Sequence, residues 1–141
     1  MENIIYTAGH SNRTFRQFLA LLKQHRITHV ADVRTYPISQ HYPHFNRANL
    51  ERYLPKNGIE YLFFGRNLGG RGINVDQEET VSLLSLWAQK GARIALTCSE
   101  GDYRSCHRFT MLAQLFIDKG VRVEHLLWDG GSVEHRSEKL F

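Results

Sequence analysis

One stretch of this sequence, Cys98 to Arg108, concentrates side chains whose types and spacing could do chemistry. It reads C-S-E-G-D-Y-R-S-C-H-R. Cys98 and Arg104 have the spacing C-x5-R, which is typical of a loop where a thiolate attacks and an arginine binds the oxygens of an anion. Glu100 and His107 could carry protons, and Arg108 adds a second cation. The pattern predicts a catalytic loop with a nucleophilic Cys98.

Two other roles for these residues stay open. Cys98 closes a predicted core strand, and a buried thiol is often a structural residue. Cys98, Cys106, His107 and His10 could also supply four metal ligands, although no C-x2-C or H-x3-H pair is present to define a tetrahedral site. We therefore predict no cofactor and keep a metal site as an alternative.

Polar residues of the same kind follow two earlier β-favouring runs. His10 and Ser11 come after the first run, where a histidine could move a proton and a hydroxyl could bind a ligand. Asp32 and Arg34 end the second run, where they could pair with each other or face a ligand. Turn formation by the first pair and simple charge pairing by the second are the alternatives.

Two further segments suit phosphates or bases. Residues 65–72 contain four glycines and two arginines, including Arg71, which is the composition of a phosphate-binding nest. Residues 41–47 mix aromatic and basic side chains, which could stack on a single strand and neutralise it. Each segment could equally be an ordinary surface loop.

The patterning of apolar residues predicts the elements that position these side chains. The strand-like runs are residues 4–8, 27–33, 59–64, 92–97 and 121–127. Four helical segments lie between them. The first begins with a capping box of Thr14 and Gln17 and ends near His25, and the second begins at Asn46 and ends at Pro55 and Gly58. The third begins with a capping box of Asp76 and Glu79 and ends at Gly91, and the fourth ends at Gly120.

Alternating strands and helices predict a single α/β domain over residues 1–141, with a polar C-terminal tail from about 130. We expect three layers: a mostly parallel sheet of about five strands with helices on both faces. Ligands of such sheets bind outside the carboxyl ends of the strands. Since the candidate residues follow the first four strands, we predict that their loops converge at one rim.

Composition narrows the class of protein. A length of 141 residues suits one domain, and no apolar run approaches the ~20 residues of a membrane helix. Residues 1–6 lack the pattern of a signal peptide, so we expect a cytoplasmic protein with no membrane partner. Eighteen Lys and Arg against 14 Asp and Glu give a net charge of +4. That excess suits an anionic small molecule or nucleic acid, or serves solubility alone.

Five motifs, taken in order, carry a family resemblance. They are T-A-G-H-S-N-R at 7–13, D-V-R at 32–34, F-N at 45–46, L-G-G-R at 68–71 and the run 98–108. Together they resemble the domain of unknown function 488 family, from residue 4 to about 128. The resemblance implies a single α/β domain and brings no established activity with it.

A looser resemblance is to rhodanese-type sulfurtransferases. The early strand of those enzymes is similar to residues 31–34, their active-site loop to 98–105, and their last strand and turn to 123–131. The resemblance implies a sulfur-carrier role for Cys98. The loop here has one more residue between glycine and arginine than the commonest rhodanese loop, and Cys106-His107 is foreign to it.

Our interpretation from the sequence is a Cys-dependent transferase or hydrolase for an anionic substrate. Arg34, Arg71 and Arg104 would hold the anion. The alternative from another class is a nucleic-acid-binding module that uses the same basic rim without covalent chemistry. The third is the metal site named above. The sequence does not determine the oligomeric state.

Overall fold

A computed structural model describes residues 3–69 and 73–136, with only the backbone of His107 and Arg108. Six strands in these residues form one sheet: β1 (Ile4–Gly9), β2 (His29–Asp32), β3 (Glu60–Phe63), β4 (Ile94–Cys98), β5 (Arg122–Leu126) and β6 (Ser132–Glu134). The strand order is β3-β2-β4-β1-β5-β6, and every pairing is parallel except that of β6 with β5. The predicted α/β class with a mostly parallel sheet is confirmed.

Helices cover both faces of this sheet. Within the described residues they are α1 (Phe15–Gln24), α2 (Arg47–Lys56), the short α3 (Gly65–Leu68), α4 (Gln77–Gln89) and α5 (His107–Ile117). Successive strand residues point to opposite faces: Val30 packs with α1 and α2, whereas Ala31 packs with α4 and α5. The sheet therefore separates two apolar clusters, which makes three layers.

Of the two capping boxes predicted from the sequence, one forms and the other does not. The capping box of α1 is confirmed, because the Gln17 N–H donates to Thr14 Oγ1 and the Thr14 N–H donates to Gln17 Oε1. The capping box predicted for α4 is wrong. Asp76 has a left-handed backbone with φ of 51° and makes no side-chain cap. Its carbonyl accepts instead from the N–H and hydroxyl of Thr80.

The start and end of α2 also differ from expectation. Asn46 precedes the helix, but its Oδ1 accepts from the Ser39 N–H at 2.6 Å rather than from the helix. Pro55 lies inside the helix, which ends one residue later at Lys56. A proline near the end removes a single N–H, so the last turn still forms. Gly58 then reverses the chain with φ of 78°.

The polar segment that begins near residue 130 contains a strand that the sequence did not predict, because residues 132–134 form β6. Gly130, with φ of 99°, turns the chain back beside β5. Glu134 then accepts from Arg122 Nε at 2.6 Å, and the His135 N–H donates to the Val123 carbonyl at 2.7 Å. A three-residue strand is too short to show alternation in a sequence, so the pairing became visible only in the fold.

The connections leave a crevice at one edge of the sheet. β1 and β2 lead into α1 and α2 on one face, whereas β4, which lies between them, leads into α5 on the other face. Neighbouring loops that diverge in this way open a crevice at the carboxyl ends of the strands. None of the helices described is both long and apolar enough to cross a membrane.

Candidate functional site

An ion pair between Asp32 and Arg34 lies at the centre of the crevice. Arg34 Nε donates to Oδ1 at 2.9 Å and Nη2 donates to Oδ2 at 2.7 Å, with Asp32 at 0% and Arg34 at 5% exposure. The hydroxyl of Tyr61, on the neighbouring strand β3, also donates to Oδ2 at 2.5 Å. The carboxylate therefore holds the guanidinium in one orientation.

The electrostatics of this group keep Arg34 charged. Burial lowers the pKa of Arg34, but the hydrogen bond and charge of Asp32 outweigh burial, so the pKa rises above its ordinary value. Burial, followed by the charge of Asp32, raises the pKa of Tyr61, so its hydroxyl keeps the proton that it donates. The guanidinium thus stays charged near a neutral phenol.

Two more bonds use the other side of the guanidinium. Nη2 donates to the Phe45 carbonyl at 2.7 Å, and Nη1 lies 3.2 Å from His10 Nε2. An arginine side chain has five N–H groups. Within the described residues these contacts occupy four of them, which leaves one Nη1 N–H for a ligand.

His10 acts here as a positioning group. Its Nδ1 lies 2.9 Å from the Ser11 carbonyl, which can only accept, so Nδ1 carries the hydrogen and Nε2 accepts from Arg34. The ring stacks on Phe45 with 4.1 Å between centroids. Mainly because of burial, its pKa falls to about 4, so His10 is neutral at pH 7.

The backbone brings the loops after β1 and β4 together. The His10 N–H donates to the Cys98 carbonyl and the Ser11 N–H to the Ser99 carbonyl, each at 2.9 Å. A Cβ at Gly9 would collide with the Glu100 carbonyl, so glycine is required at this close approach. Ser11 has φ of 49°, a left-handed conformation that is uncommon for serine.

A cavity of about 410 Å³, which we call the rim cavity, opens beside Arg34. It is lined by His10, Arg34, Thr35, Tyr36, Ile38, Ser39, Tyr42 and Ser99. Its polar part holds the guanidinium and serine hydroxyls. At its mouth, Tyr36 is 72% exposed and Ile38 is 75% exposed. The loops after β1, β2 and β4 thus share one cavity.

The cysteines lie on the other face of the sheet. Cys98 and Cys106 belong to the apolar cluster with α4 and α5 and are 3% and 6% exposed. Their Sγ atoms are 3.6 Å apart, and both side chains are thiols. Neither lines the rim cavity, and a nucleophilic or sulfur-carrier role for Cys98 stays a prediction.

Arg104 pairs with Asp102 at the surface. Its Nε and Nη2 donate to the carboxylate at 3.1 and 3.2 Å, and the arginine side chain is 76% exposed. Both residues line a second cavity of about 320 Å³ together with Trp128. Glu100 is exposed and accepts from the Asp102 N–H. In this arrangement Arg104 does not line the cavity that contains Arg34.

Three predicted site residues lie wholly or partly outside what the structure describes. Arg71 lies outside the described residues, as do the side chains of His107 and Arg108. Among the described side chains, no group of three or more His, Cys, Asp or Glu is placed to hold a metal ion. Since the metal alternative includes His107, it stays a prediction.

Sequence analysis missed several residues that build this region. Tyr61 could have been noticed as a polar group in a strand beside β2, but the Phe45 carbonyl gives no signal in a sequence. A second polar chain was also missed: Thr7 Oγ1 lies 2.6 Å from His125 Nδ1, and His125 Nε2 lies 2.8 Å from His135 Nδ1. Mainly through burial, the pKa of His125 falls to about 4.

One family comparison bears on this site. The model of the family described as Domain of unknown function DUF488 matches residues 14–77. This match supports the predicted resemblance to the DUF488 family over those residues. The DUF488 match contains Asp32, Arg34, Phe45 and Tyr61, and ends before the Cys98 loop. No curated protein and no solved structure matches the chain.

Proposed function

We propose that this protein binds a phosphate-bearing small molecule of the nucleotide class in the rim cavity. The observation that carries the proposal is the fixed guanidinium of Arg34. In the part of the chain that the structure describes, four of its N–H groups are held by Asp32, Phe45 and His10, and one Nη1 N–H is left beside the cavity. A donor that is already oriented loses little conformational entropy when it binds an anion.

Hydroxyl groups support the same ligand class. Ser99 lines the cavity with Arg34 and is exposed. Ser39 Oγ accepts from the N–H groups of His41 and Tyr42, so its own hydrogen can be donated. Phosphate oxygens accept several hydrogen bonds at once, and charged or hydroxyl donors are the usual partners.

The mouth of the cavity favours an aromatic group attached to the anion. Tyr36 and Tyr42 present exposed rings there, and Ile38 adds apolar surface. Rings of this kind stack on nucleobases without requiring a particular base. A volume of about 410 Å³ falls in the range of roughly 300–1,000 Å³ that small-molecule sites occupy.

Binding, rather than catalysis, is the function that the geometry supports best. A Cys-dependent transferase or hydrolase needs its thiolate within reach of the ligand. Cys98 Sγ packs against Cys106 Sγ on the opposite face, and His10 Nε2 is engaged with Arg34. We therefore propose the binding site first and leave the reaction as a prediction from the sequence.

Isothermal titration calorimetry with adenosine 5′-monophosphate, ribose 5-phosphate and adenosine tests this proposal. We expect the nucleotide to bind, Arg34→Lys to weaken it about tenfold or more through the lost planar donor geometry, and Tyr36→Ala to weaken the nucleotide but not ribose 5-phosphate. Arg104→Lys is the matched control and should change nothing.

Two results would overturn the proposal: no binding of either phosphate, or an Arg104→Lys loss equal to that of Arg34→Lys. If Arg34→Lys does not fold, Tyr36→Ala and Ser99→Ala decide. Both change exposed residues of the cavity, so unaltered nucleotide affinity in both would contradict the site.

A further inference from the structure

Positive charge is concentrated in one part of this chain. Residues 3–59, which include α1 and α2, hold eight Lys or Arg and two Asp or Glu. The whole chain holds 18 and 14, so the other residues hold 10 and 12. Residues 3–59 therefore carry an excess of six positive charges, while the rest of the chain is slightly negative. A charge separation of this kind attracts polyanions to one face.

Partly exposed rings lie in this part of the chain. A groove of about 270 Å³, which we call the helix groove, is lined by Phe15, His44, Asn49 and Tyr53. His44 lies next to Tyr42 of the rim cavity, with 6.4 Å between ring centroids. The rim cavity and the helix groove are thus neighbours along a path of aromatic side chains.

Two cations lie over the Tyr53 ring of this path. The Arg52 guanidinium lies 5.4 Å and Lys56 Nζ lies 5.5 Å from the ring centroid of Tyr53. Arg16 is exposed on α1. Rings for bases beside cations for phosphates are the two components of a surface that binds single-stranded nucleic acid.

We propose that a single strand of nucleic acid binds along this face, from the rim cavity over Tyr42 and His44 to the helix groove. This inference rests on the proposed function, because it makes the nucleotide in the rim cavity one unit of a strand. Unpaired bases can stack on exposed rings, whereas the bases of a duplex are covered by each other. A duplex or a lipid surface would use the charge and leave the rings unused.

Fluorescence anisotropy with labelled oligothymidylates of two to twelve nucleotides tests the inference. We expect affinity to rise with length until the helix groove is occupied, and a duplex of equal length to bind more weakly. With about four phosphate contacts, the logarithm of affinity should fall with the logarithm of salt with a slope of about −3.

Variants of the helix groove make the test specific. We expect the double variant Arg52→Ala, Lys56→Ala to weaken a twelve-nucleotide strand about tenfold and to reduce the salt slope, and Tyr53→Ala to weaken it several-fold. Lys90→Ala with Lys119→Ala, on the opposite layer, is the matched control and should have no effect. All five positions are exposed.

The outcomes separate this inference from the proposed function. If adenosine 5′-monophosphate binds but affinity does not grow with length, the strand path is wrong and the rim cavity stands. If a strand binds and Arg52→Ala, Lys56→Ala weakens it while no mononucleotide binds, the proposed function is wrong. Equal affinity for a duplex, or for vesicles of phosphatidylserine, would overturn the single-strand inference and indicate charge attraction alone.

Discussion

Two copies of an Asp-x-Arg motif have the same local geometry in this protein and very different surroundings. In Asp32-Val33-Arg34, the arginine N–H and Nε donate to Oδ1 at 3.1 and 2.9 Å, and Nη2 donates to Oδ2 at 2.7 Å. In Asp102-Tyr103-Arg104 the same three bonds measure 2.9, 3.1 and 3.2 Å. We call these the buried motif and the exposed motif.

The surroundings decide what each motif can do. The buried motif ends a strand with neighbours on both sides and is covered by His10, Phe45 and Tyr61. The exposed motif lies in a loop beyond β4, where solvent weakens the attraction between its charges. The same local bonds therefore give a rigid anion ligand in one place and a surface ion pair in the other.

Removing the carboxylate from each motif should give the largest difference in stability between the buried motif and the exposed motif. We expect Asp32→Ala to lower the free energy of unfolding by about 3–5 kcal/mol, because it leaves a buried arginine without its counter-charge. Asp102→Ala should leave it nearly unchanged, since its pair is solvated. Urea denaturation followed by circular dichroism measures both, and equal losses would contradict the role of burial.

The next effect is the pH dependence of the free energy of unfolding, which we attribute to the histidine beside each motif. His10, which faces Arg34, Asp32 and His44, has its pKa lowered from 6.5 to about 4. Between pH 6.5 and 4, His10 is protonated in the unfolded chain but neutral in the native protein. The contribution of His10 to the free energy of unfolding therefore falls as pH falls, and it is constant above pH 6.5. The loss from His10 is about 3 kcal/mol at pH 4.

The pH profile of urea denaturation from pH 7.5 to 4.5 measures this effect. His125, which stacks on Tyr103 of the exposed motif with 4.1 Å between centroids, has its pKa lowered to a similar value. We expect His10→Gln and His125→Gln each to remove part of the slope. A profile that neither variant changes would show that other groups cause the loss.

A smaller difference should follow from the tyrosine beside each motif. Tyr61→Phe removes the hydroxyl that donates to Asp32, and we expect a loss of about 2 kcal/mol because the acceptor is a buried charge. Tyr103→Phe keeps the ring that stacks on His125, so its effect should be smaller. Midpoints of urea denaturation rank the two, and the reverse order would contradict the assignment of Asp32 as the charged acceptor.

The smallest effect concerns the thiols next to the exposed motif. We expect iodoacetamide to modify Cys98 and Cys106 more slowly in the native protein than in urea, because the residues are 3% and 6% exposed. The nucleophile hypothesis from the sequence adds that Cys98 reacts faster than Cys106 and that phosphate slows it. Peptide mapping with Cys98→Ser and Cys106→Ser controls decides, and equal rates without a phosphate effect would contradict that hypothesis.

Prediction from the sequence succeeded where the signal was local. The Thr14 and Gln17 capping box needs residues of a single turn, and the strands were recognised from short apolar runs. It failed where distant residues decide. Asp76 and Glu79 have the spacing of a capping box, but the left-handed backbone at Asp76 prevents one. Likewise, β6 forms only because β5 offers an edge for pairing.

For the site, the sequence by itself determined the residue types and the strand ends at which they stand. It placed an aspartate two residues before an arginine at two positions, and in the structure both copies make the same local bonds. Only the tertiary structure decided which copy is buried, because His10 and Tyr61 reach Asp32 and Arg34 from 24 and 29 residues away in the chain. The tertiary structure likewise decided that Cys98 faces the layer of α4 and α5. Side chains alternate along β4, but no local pattern in the sequence shows which helices cover which face of the sheet.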